Sequence, residues 1–163
     1  METVGPEFLA RLMDEHSAAL VLYARQWCAS PEDAVQDALM QLVREPQKPD
    51  NVVGWLYRVV RNRAVSASRA AGARSRYEAA AAFRGEPWFA TADEDRLDGE
   101  AAAQVLTQLP LPQRETIVAR IWGGLSFEEI AELMDASTSS VHRWYYAGLV
   151  ALRERLGVER QAK

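Results

Sequence analysis

Cysteine, histidine and long apolar runs are scarce in this sequence of 163 residues, and each absence excludes a class of protein. The single cysteine, Cys28, rules out an internal disulfide and a cysteine-rich zinc module. The two histidines, His16 and His142, lie far apart in the sequence. There is no run of about 18 apolar residues, and the N-terminus lacks a basic segment followed by an apolar one. We therefore expect a cytoplasmic protein without a membrane span or signal peptide.

Groups that commonly carry catalysis are also missing. The sequence shows no nucleophile–base pair, no metal-ligand cluster and no glycine-rich phosphate loop, so we expect no catalytic residue, no metal and no cofactor. The acidic segment EDAVQD at residues 32–37 is compatible with a catalytic carboxylate pair, but a polar surface that docks on another protein is the favoured interpretation. The sequence thus predicts a binding protein rather than an enzyme.

Charge is distributed unevenly along the chain, and the net charge of -4 does not reveal this unevenness. Residues 51–77 contain six arginines and no acid, whereas residues 1–50 carry nine acids and four bases, and residues 78–100 carry seven acids and two bases. Arginines neutralise phosphates, and aromatic rings such as Trp55 can stack on unpaired bases. The basic segment therefore indicates a nucleic-acid face. The alternative is a solvated basic face paired with the acidic helices.

Apolar residues recur at helical spacing nearly throughout the chain. A first helix is predicted from about Glu7 to Trp27. A second begins at residues 30–33, with Ser30 as cap and Asp33 closing a capping box, and stops before Pro46. A third runs from about residue 52 to Arg69. Alanines, Gly85, Pro87 and acidic residues then indicate a linker over residues 79–100.

Residues 125–152 have the pattern of a helix-turn-helix unit. Ser126 and Glu129 form a capping-box signature, Asp135-Ala136 predicts a tight turn, and Ser137 is placed to cap a second helix. The start of that helix offers groups that can reach phosphates or base edges: Thr138, Ser139, His142, Arg143 and Tyr146. The pattern favours DNA binding. A helical hairpin without a DNA role is the alternative.

Four segments occur in this order: EDAVQD at 32–37, WLYRVVRNRA at 55–64, LPLPQRETIVAR at 109–120 and GLSFEEIAELMDASTSSVHRW at 124–144. Together they resemble a bacterial RNA polymerase sigma factor of the extracytoplasmic-function class of the sigma-70 family. The resemblance implies an all-α fold of two small helical domains. These are a sigma region 2 bundle (residues 1–78) and a sigma region 4 helix-turn-helix (residues 101–163), joined by a flexible acidic linker (79–100).

The resemblance also implies partners and site residues for the first domain. That domain would bind the clamp of core RNA polymerase through Glu32, Asp33, Gln36 and Asp37. It would open the minus-ten promoter element and hold its unpaired strand. The residues that fall in the strand-holding segment are Trp55, Arg58, Arg61, Asn62, Arg63 and Arg69.

By the same resemblance, the second domain would touch the polymerase flap and read the minus-thirty-five element of promoter DNA. Its contact residues would be Ser137, Thr138, Ser139, His142, Arg143 and Tyr146. Three departures from the family pattern stand out: Asp135 replaces a common glycine, Ser66 replaces a common aspartate, and the recognition helix has few basic residues. The last departure predicts weak minus-thirty-five binding with a small salt dependence.

Two alternative functions remain open from the sequence. One is a stand-alone helix-turn-helix regulator that binds duplex DNA without polymerase. The other is a protein-interaction module, such as a decoy that only resembles a sigma factor. The aromatic residues 144–146 either pack the core of the second domain or face a protein, for which an anti-sigma factor is the candidate.

Overall fold

The computed structural model describes residues 3–82 and 104–156, with side chains of the third helix described as far as residue 71. The described residues form helices and turns and no strand, which confirms the all-α prediction. The chain divides into two compact units, Met1–Arg84 and Gly85–Lys163. Among the described helices, none is both long and apolar enough to cross a membrane.

The first unit is built from three helices around one core: α1 (Pro6–Ala24), α2 (Pro31–Arg44) and α3 (Val52–Ala82). Its largest fully buried side chains are Tyr23 and Tyr57, whose rings meet edge to face at 5.0 Å. Trp27 packs edge-on against Tyr23 at the same distance. Leucines from all three helices are also buried, among them Leu22, Leu42 and Leu56. These buried rings therefore determine which side of α3 faces the core and which side faces solvent.

Helix ends in this unit differ from the predicted ones. The helix α1 ends at Ala24 rather than Trp27, because the chain tightens there: the backbone N–H of Trp27 donates to Ala24 O. The helix α3 continues to Ala82, well past Arg69. Alanine is the best helix former, and residues 70, 71 and 73 are alanines, so the single Gly72 does not stop the helix.

The predicted capping box at the start of α2 is wrong, although the position of the helix start is right. Ser30 occupies the cap position, but its side chain makes no capping hydrogen bond. Its backbone, at φ -118° and ψ 64°, lies outside the extended conformation that aims a cap oxygen at the first turn. Pro31 at the first helical position and the acids Glu32 and Asp33 stabilise the first turn instead.

The second unit contains α4 (Leu111–Ile117), a π-helical turn (Val118–Trp122), α5 (Phe127–Met134) and α6 (Thr138–Leu156). The helix α4 continues directly into the π-helical turn, at whose end the N–H of Gly123 donates to Val118 O. The buried side chains of the unit include Leu106, Ile117, Val118, Leu125, Ile130, Val141 and Leu152. Gly148 lets α6 approach α4 closely, since a Cβ there would overlap the side chain of Ile117.

The helix-turn-helix signals of the sequence are confirmed in atomic detail. Ser126 Oγ accepts from the N–H of Glu129 at 3.1 Å, and the Glu129 carboxylate accepts from the N–H of Ser126 at 3.3 Å. Asp135 adopts the left-handed conformation (φ 51°, ψ 51°), which aspartate tolerates better than most residues. Ser137 Oγ caps α6 by accepting from the N–H of Ser140 at 3.1 Å. Three residues thus connect α5 to α6.

Candidate functional site

A row of polar and aromatic side chains follows one exposed face of α3. Trp55, Arg58, Asn62 and Arg69 are three, four or seven residues apart, so they project from the same side of the helix. Arg58, Asn62 and Arg69 are exposed and Trp55 is half-buried. The opposite side of the helix carries the core residues Leu56, Tyr57, Val60 and Ala64. We call the four exposed-face residues the arginine track.

The two remaining arginines predicted to hold DNA lie off this track. Arg61 lies over the ring of Trp27, with its guanidinium carbon 5.6 Å from the ring centroid. Arg63 faces α2, where it donates to Gln41 Oε1 at 3.1 Å and lies 3.6 Å from Asp37 Oδ2. The predicted set of six is therefore divided, because Arg61 and Arg63 lie one position before and after Asn62, about 100° away from it around the helix.

The acidic segment at the start of α2 exposes three of its four predicted docking residues, Asp33, Gln36 and Asp37. Glu32 is half-buried, and its charge acts on Arg25, whose pKa is lowered by burial and partly restored by Glu32. Glu32 therefore interacts with Arg25 of the same unit and is only partly available to a partner.

Two apolar side chains that sequence reasoning did not single out continue this surface. Met40 is 45% exposed and Val43 is 51% exposed, and they stand four and seven residues after Gln36, on the same side of α2. We call Asp33, Gln36, Asp37, Met40 and Val43 the α2 stripe. The spacing of Met40 and Val43 from Gln36 was visible in the sequence. Their exposure, however, depends on which side of α2 packs into the core.

A groove of about 550 Å³ runs between α2 and α3. Its lining brings residues predicted for docking, Asp33 and Asp37, next to residues predicted for strand binding, Asn62 and Arg63. Ser66, which stands where the resembling family often has aspartate, also lines it. The two predicted sites of the first unit are therefore neighbours across one groove. Cys28 also lines the groove as a buried thiol, whose pKa is raised chiefly by burial.

The exposed face of α6 carries four of the predicted duplex-binding residues. Ser139, His142, Arg143 and Tyr146 occupy the second, fifth, sixth and ninth positions of the helix, so they share one side. Thr138 stands at the edge of this side, and the hydroxyl of Ser137 is engaged in the cap. We call Ser139, His142, Arg143 and Tyr146 the reading face. Arg143 donates to Ser140 Oγ at 3.2 Å, which holds its guanidinium beside the first turn.

Stacked rings support the reading face from below. The ring of Phe127 at the start of α5 lies 4.1 Å from that of His142, and His142 stacks on Tyr146 at 6.1 Å with 16° between planes. Tyr145 meets Phe127 at 5.2 Å and Tyr146 at 5.3 Å. Tyr146 is 56% exposed. Tyr145 therefore packs between the helices, whereas Tyr146 presents its ring to solvent.

Arg120, in the π-helical turn, packs on the ring of Phe127. Its guanidinium carbon lies 4.5 Å from the Phe127 ring centroid, and Nη1 donates to Leu125 O at 2.9 Å. Arg120 thus ties the loop before α5 to the π-helical turn and orients Phe127. Sequence reasoning assigned no role to Arg120 or Phe127, since their contact depends on how that turn is wound.

Groups suited to metal binding do not assemble in the described part of the chain. No set of three or more histidine, cysteine, aspartate or glutamate side chains there has the geometry to hold a metal ion. What the two units present are surfaces: a basic and aromatic helix face, an acidic and apolar stripe, and a recognition helix.

Comparison with family models assigns both units. Residues 12–74 match the model described as Sigma-70 region 2, and residues 99–152 match the model described as Sigma-70, region 4. Together the two matches cover more than half of the chain. No curated protein matches it.

Two solved structures are similar in fold. One is the sigma factor RpoE in complex with the anti-sigma factor NepR from Bartonella quintana, with 24% identity, a TM-score of 0.72, and coverage of 94% of this chain and 99% of that one. The other is CnrH in complex with the cytosolic domain of CnrY, with 21% identity, a TM-score of 0.59, and coverage of 94% and 90%. At these identities the likeness concerns the fold.

Proposed function

Because the chain is a sigma factor of the sigma-70 family, with region 2 in its first unit and region 4 in its second, we propose that it works as an extracytoplasmic-function sigma factor in the cytoplasm. In this role it binds core RNA polymerase, directs it to particular promoters and opens the minus-ten element. The observation that carries the proposal is the arginine track, an exposed basic and aromatic face in the first unit.

The chemistry of the arginine track suits a single DNA strand. Arg58 and Arg69 offer delocalised positive charge to phosphates, Trp55 offers a ring face to an unpaired base, and Asn62 offers an amide that both donates and accepts. Holding unpaired bases replaces the stacking that they lose when the duplex opens. The track therefore stabilises the open strand without catalysing any step.

The α2 stripe has the composition of a protein-docking surface. Its C-terminal end has the apolar side chains Met40 and Val43, and its N-terminal end has the carboxylates Asp33 and Asp37. Specific interfaces combine apolar anchors with charges that orient the partner. We assign this stripe to the clamp of core polymerase. Asp37 also lies 3.6 Å from Arg63, so docking at the stripe competes with that ion pair.

The second unit is assigned to the minus-thirty-five element and the polymerase flap. Region 4 supplies a recognition helix, and the reading face lies on its N-terminal half, the part that enters the major groove in helix-turn-helix proteins. An anti-sigma factor is proposed as a further partner, since both similar structures are complexes, one of them with a protein named as an anti-sigma factor.

Transcription from a genomic DNA library tests the function directly. Core polymerase is incubated with the library in the presence or absence of the chain, and RNA start sites are mapped. We expect a set of new start sites that share upstream sequence elements. If the chain adds no start site but binds duplex DNA tightly by itself, it is a stand-alone regulator instead.

Variants with matched charge changes test the arginine track. We expect Arg58→Ala with Arg69→Ala to reduce promoter opening at least tenfold, measured by permanganate reactivity of unpaired thymines. Arg61→Ala with Arg63→Ala is the control, because it also removes two charges from the same helix, but from positions that face Trp27 and α2. Equal defects in the two variants would contradict the assignment of the track.

Charge and apolar variants test the α2 stripe in the same way. We expect Asp33→Lys, and separately Met40→Ala with Val43→Ala, to weaken binding to core polymerase, measured by competition with a labelled sigma factor. Asp14→Lys is the charge-matched control, since Asp14 is exposed on α1 outside the stripe. Unchanged competition by the stripe variants would place the docking surface elsewhere.

A further inference from the structure

The apolar ring on the reading face is unusual for a surface assigned to DNA phosphates. Tyr146 occupies the ninth position of α6, in line with Ser139 and Arg143, and over half of its surface is exposed. Val150, one turn further along the same side, is 53% exposed. The outer face of the recognition helix is therefore apolar at the point where the helix leaves its polar first turns.

The orientation of this ring is fixed by its neighbours. Tyr146 stacks on His142 at 6.1 Å and meets Tyr145 edge-on at 5.3 Å, while His142 in turn rests on Phe127 at 4.1 Å. Arg120 holds Phe127 from the other side. Because contacts within the unit already restrict the ring, little side-chain entropy is lost when it meets a partner. A preoriented ring is suited to discriminate between base pairs.

The major groove contains one apolar group that distinguishes base pairs, the C5-methyl group of thymine. Other base edges there present hydrogen-bond donors and acceptors, which an aromatic ring face cannot satisfy. We propose that Tyr146 reads a thymine by packing its ring against that methyl group in the minus-thirty-five element, with Val150 extending the apolar contact. The inference rests on the proposed function of the second unit.

This readout explains how a recognition helix with one arginine among its first fifteen residues gains specificity. Phosphate contacts give affinity without sequence information, whereas a methyl contact gives sequence information without charge. Arg143 is the arginine of the reading face, and it is able to contact a guanine edge or a phosphate.

Replacing thymine by deoxyuridine provides the test, since it removes only the methyl group. The minus-thirty-five element is first located by mapping start sites and by replacing whole base pairs upstream of them. Each thymine of the element is then exchanged for deoxyuridine, and open-complex formation by core polymerase with the full chain is measured. At one or two positions we expect a loss of roughly fourfold, the fold-change that corresponds to one methylene-sized apolar group. Deoxyuridine in the spacer serves as the DNA control.

Two protein variants locate the effect. With Tyr146→Ala, we expect the deoxyuridine promoter and the unmodified promoter to be used equally, because the ring that senses the methyl group is gone. With Tyr146→Phe, the fourfold difference is retained, since the ring remains and only the hydroxyl is lost. Helix content by circular dichroism checks that both variants fold.

Three results would overturn the inference: an element without thymine, no position at which deoxyuridine matters, or a methyl effect that persists in Tyr146→Ala. Any of these leaves the proposed function intact, provided that replacing base pairs of the element still abolishes initiation. If initiation is indifferent to all upstream base pairs, the assignment of the second unit fails and the inference fails with it.

Discussion

The hydroxyl of Tyr57 makes the first unit less stable than its core would otherwise allow, and its removal should raise stability. Tyr57 is a residue of α3 that is fully buried against α1. Its oxygen has no hydrogen-bond partner among the residues that the structure describes. Its ring contributes apolar burial and the edge-to-face contact with Tyr23. Tyr57→Phe keeps the ring and removes only the oxygen.

The expected gain follows from two opposing terms. An unpaired buried hydroxyl costs about 1–3 kcal/mol, because it gives up its bonds to water without replacement. The void left by one oxygen atom, on the order of 10–15 Å³, costs about 0.3 kcal/mol. We therefore expect Tyr57→Phe to raise the free energy of unfolding of the first unit by about 1 kcal/mol or more. Tyr57→Ala, which also removes the ring, should lower it by about 3–5 kcal/mol.

Alkaline pH provides a second readout of the same hydroxyl. Burial raises the pKa of Tyr57 above its ordinary value, so the folded state keeps the neutral phenol. Below pH 10 both states are neutral and the pH has no effect through this group. Above about pH 10 the unfolded chain loses the proton while the folded chain keeps it, so the free energy of unfolding falls as pH rises. The advantage of Tyr57→Phe should grow by about 1 kcal/mol between pH 10 and 11.

Amide hydrogen exchange of the full chain, followed by mass spectrometry over increasing urea, measures stability in α3 separately from the second unit. Slower exchange in α3 of Tyr57→Phe is the expected result. If Tyr57→Phe instead loses 1 kcal/mol or more, the hydroxyl has a hydrogen-bond partner in solution, and the reasoning from an unpaired buried group is wrong.

The remaining predictions concern helix ends, and the same exchange experiment checks all three. Asn51→Ala should destabilise the start of α3 by about 1 kcal/mol, because Asn51 Oδ1 accepts from the N–H of Gly54 at 3.0 Å, whereas Asn51→Asp keeps the acceptor and the stability. Ser126→Ala should destabilise α5 by about 1 kcal/mol, since it removes the oxygen that accepts from the N–H of Glu129, while the backbone N–H of residue 126 is kept; an unchanged α5 would show that the Ser126 hydroxyl does not stabilise it. Asp135→Asn should be neutral and Asp135→Val should cost about 1–2 kcal/mol, because β-branched residues disfavour positive φ; equal stabilities would contradict a left-handed turn.

Features encoded by a few adjacent residues were predictable from the sequence. The capping box of Ser126 and Glu129 and the Ser137 cap each depend on residues three positions apart, and the structure contains both. The left-handed turn at Asp135 likewise follows from local backbone preference. Ser30 shows the limit of such reasoning, because the residue type was right but the backbone torsion angles turned its oxygen away from the first turn.

Features that depend on packing between helices were not predictable in the same way. The arginine segment was recognised as a block, but only the core around Tyr57 determines that Arg58 belongs to the track and Arg63 faces α2. Val43 was counted with the apolar residues of the second helix, and neither it nor Met40 was assigned to docking, because a helical stripe of apolar residues is usually buried and the sequence does not say which stripe is exposed. The assignment of the track, the stripe and the reading face to their partners stays a prediction.

The scarcity of basic residues in the N-terminal part of α6 affects how the protein searches for promoters. From Thr138 to Leu152, Arg143 is the single arginine or lysine. Sequence-independent affinity for DNA comes mainly from neutralised phosphates, and a genome offers on the order of a million or more competing sites. Arg153 and Arg155 lie in the last turn of the helix, so the N-terminal part that enters the groove has one such contact and is held only briefly at each site. The free chain is therefore not sequestered on chromosomal DNA by this helix and stays available to search for polymerase, so that promoter search becomes a property of the assembled enzyme.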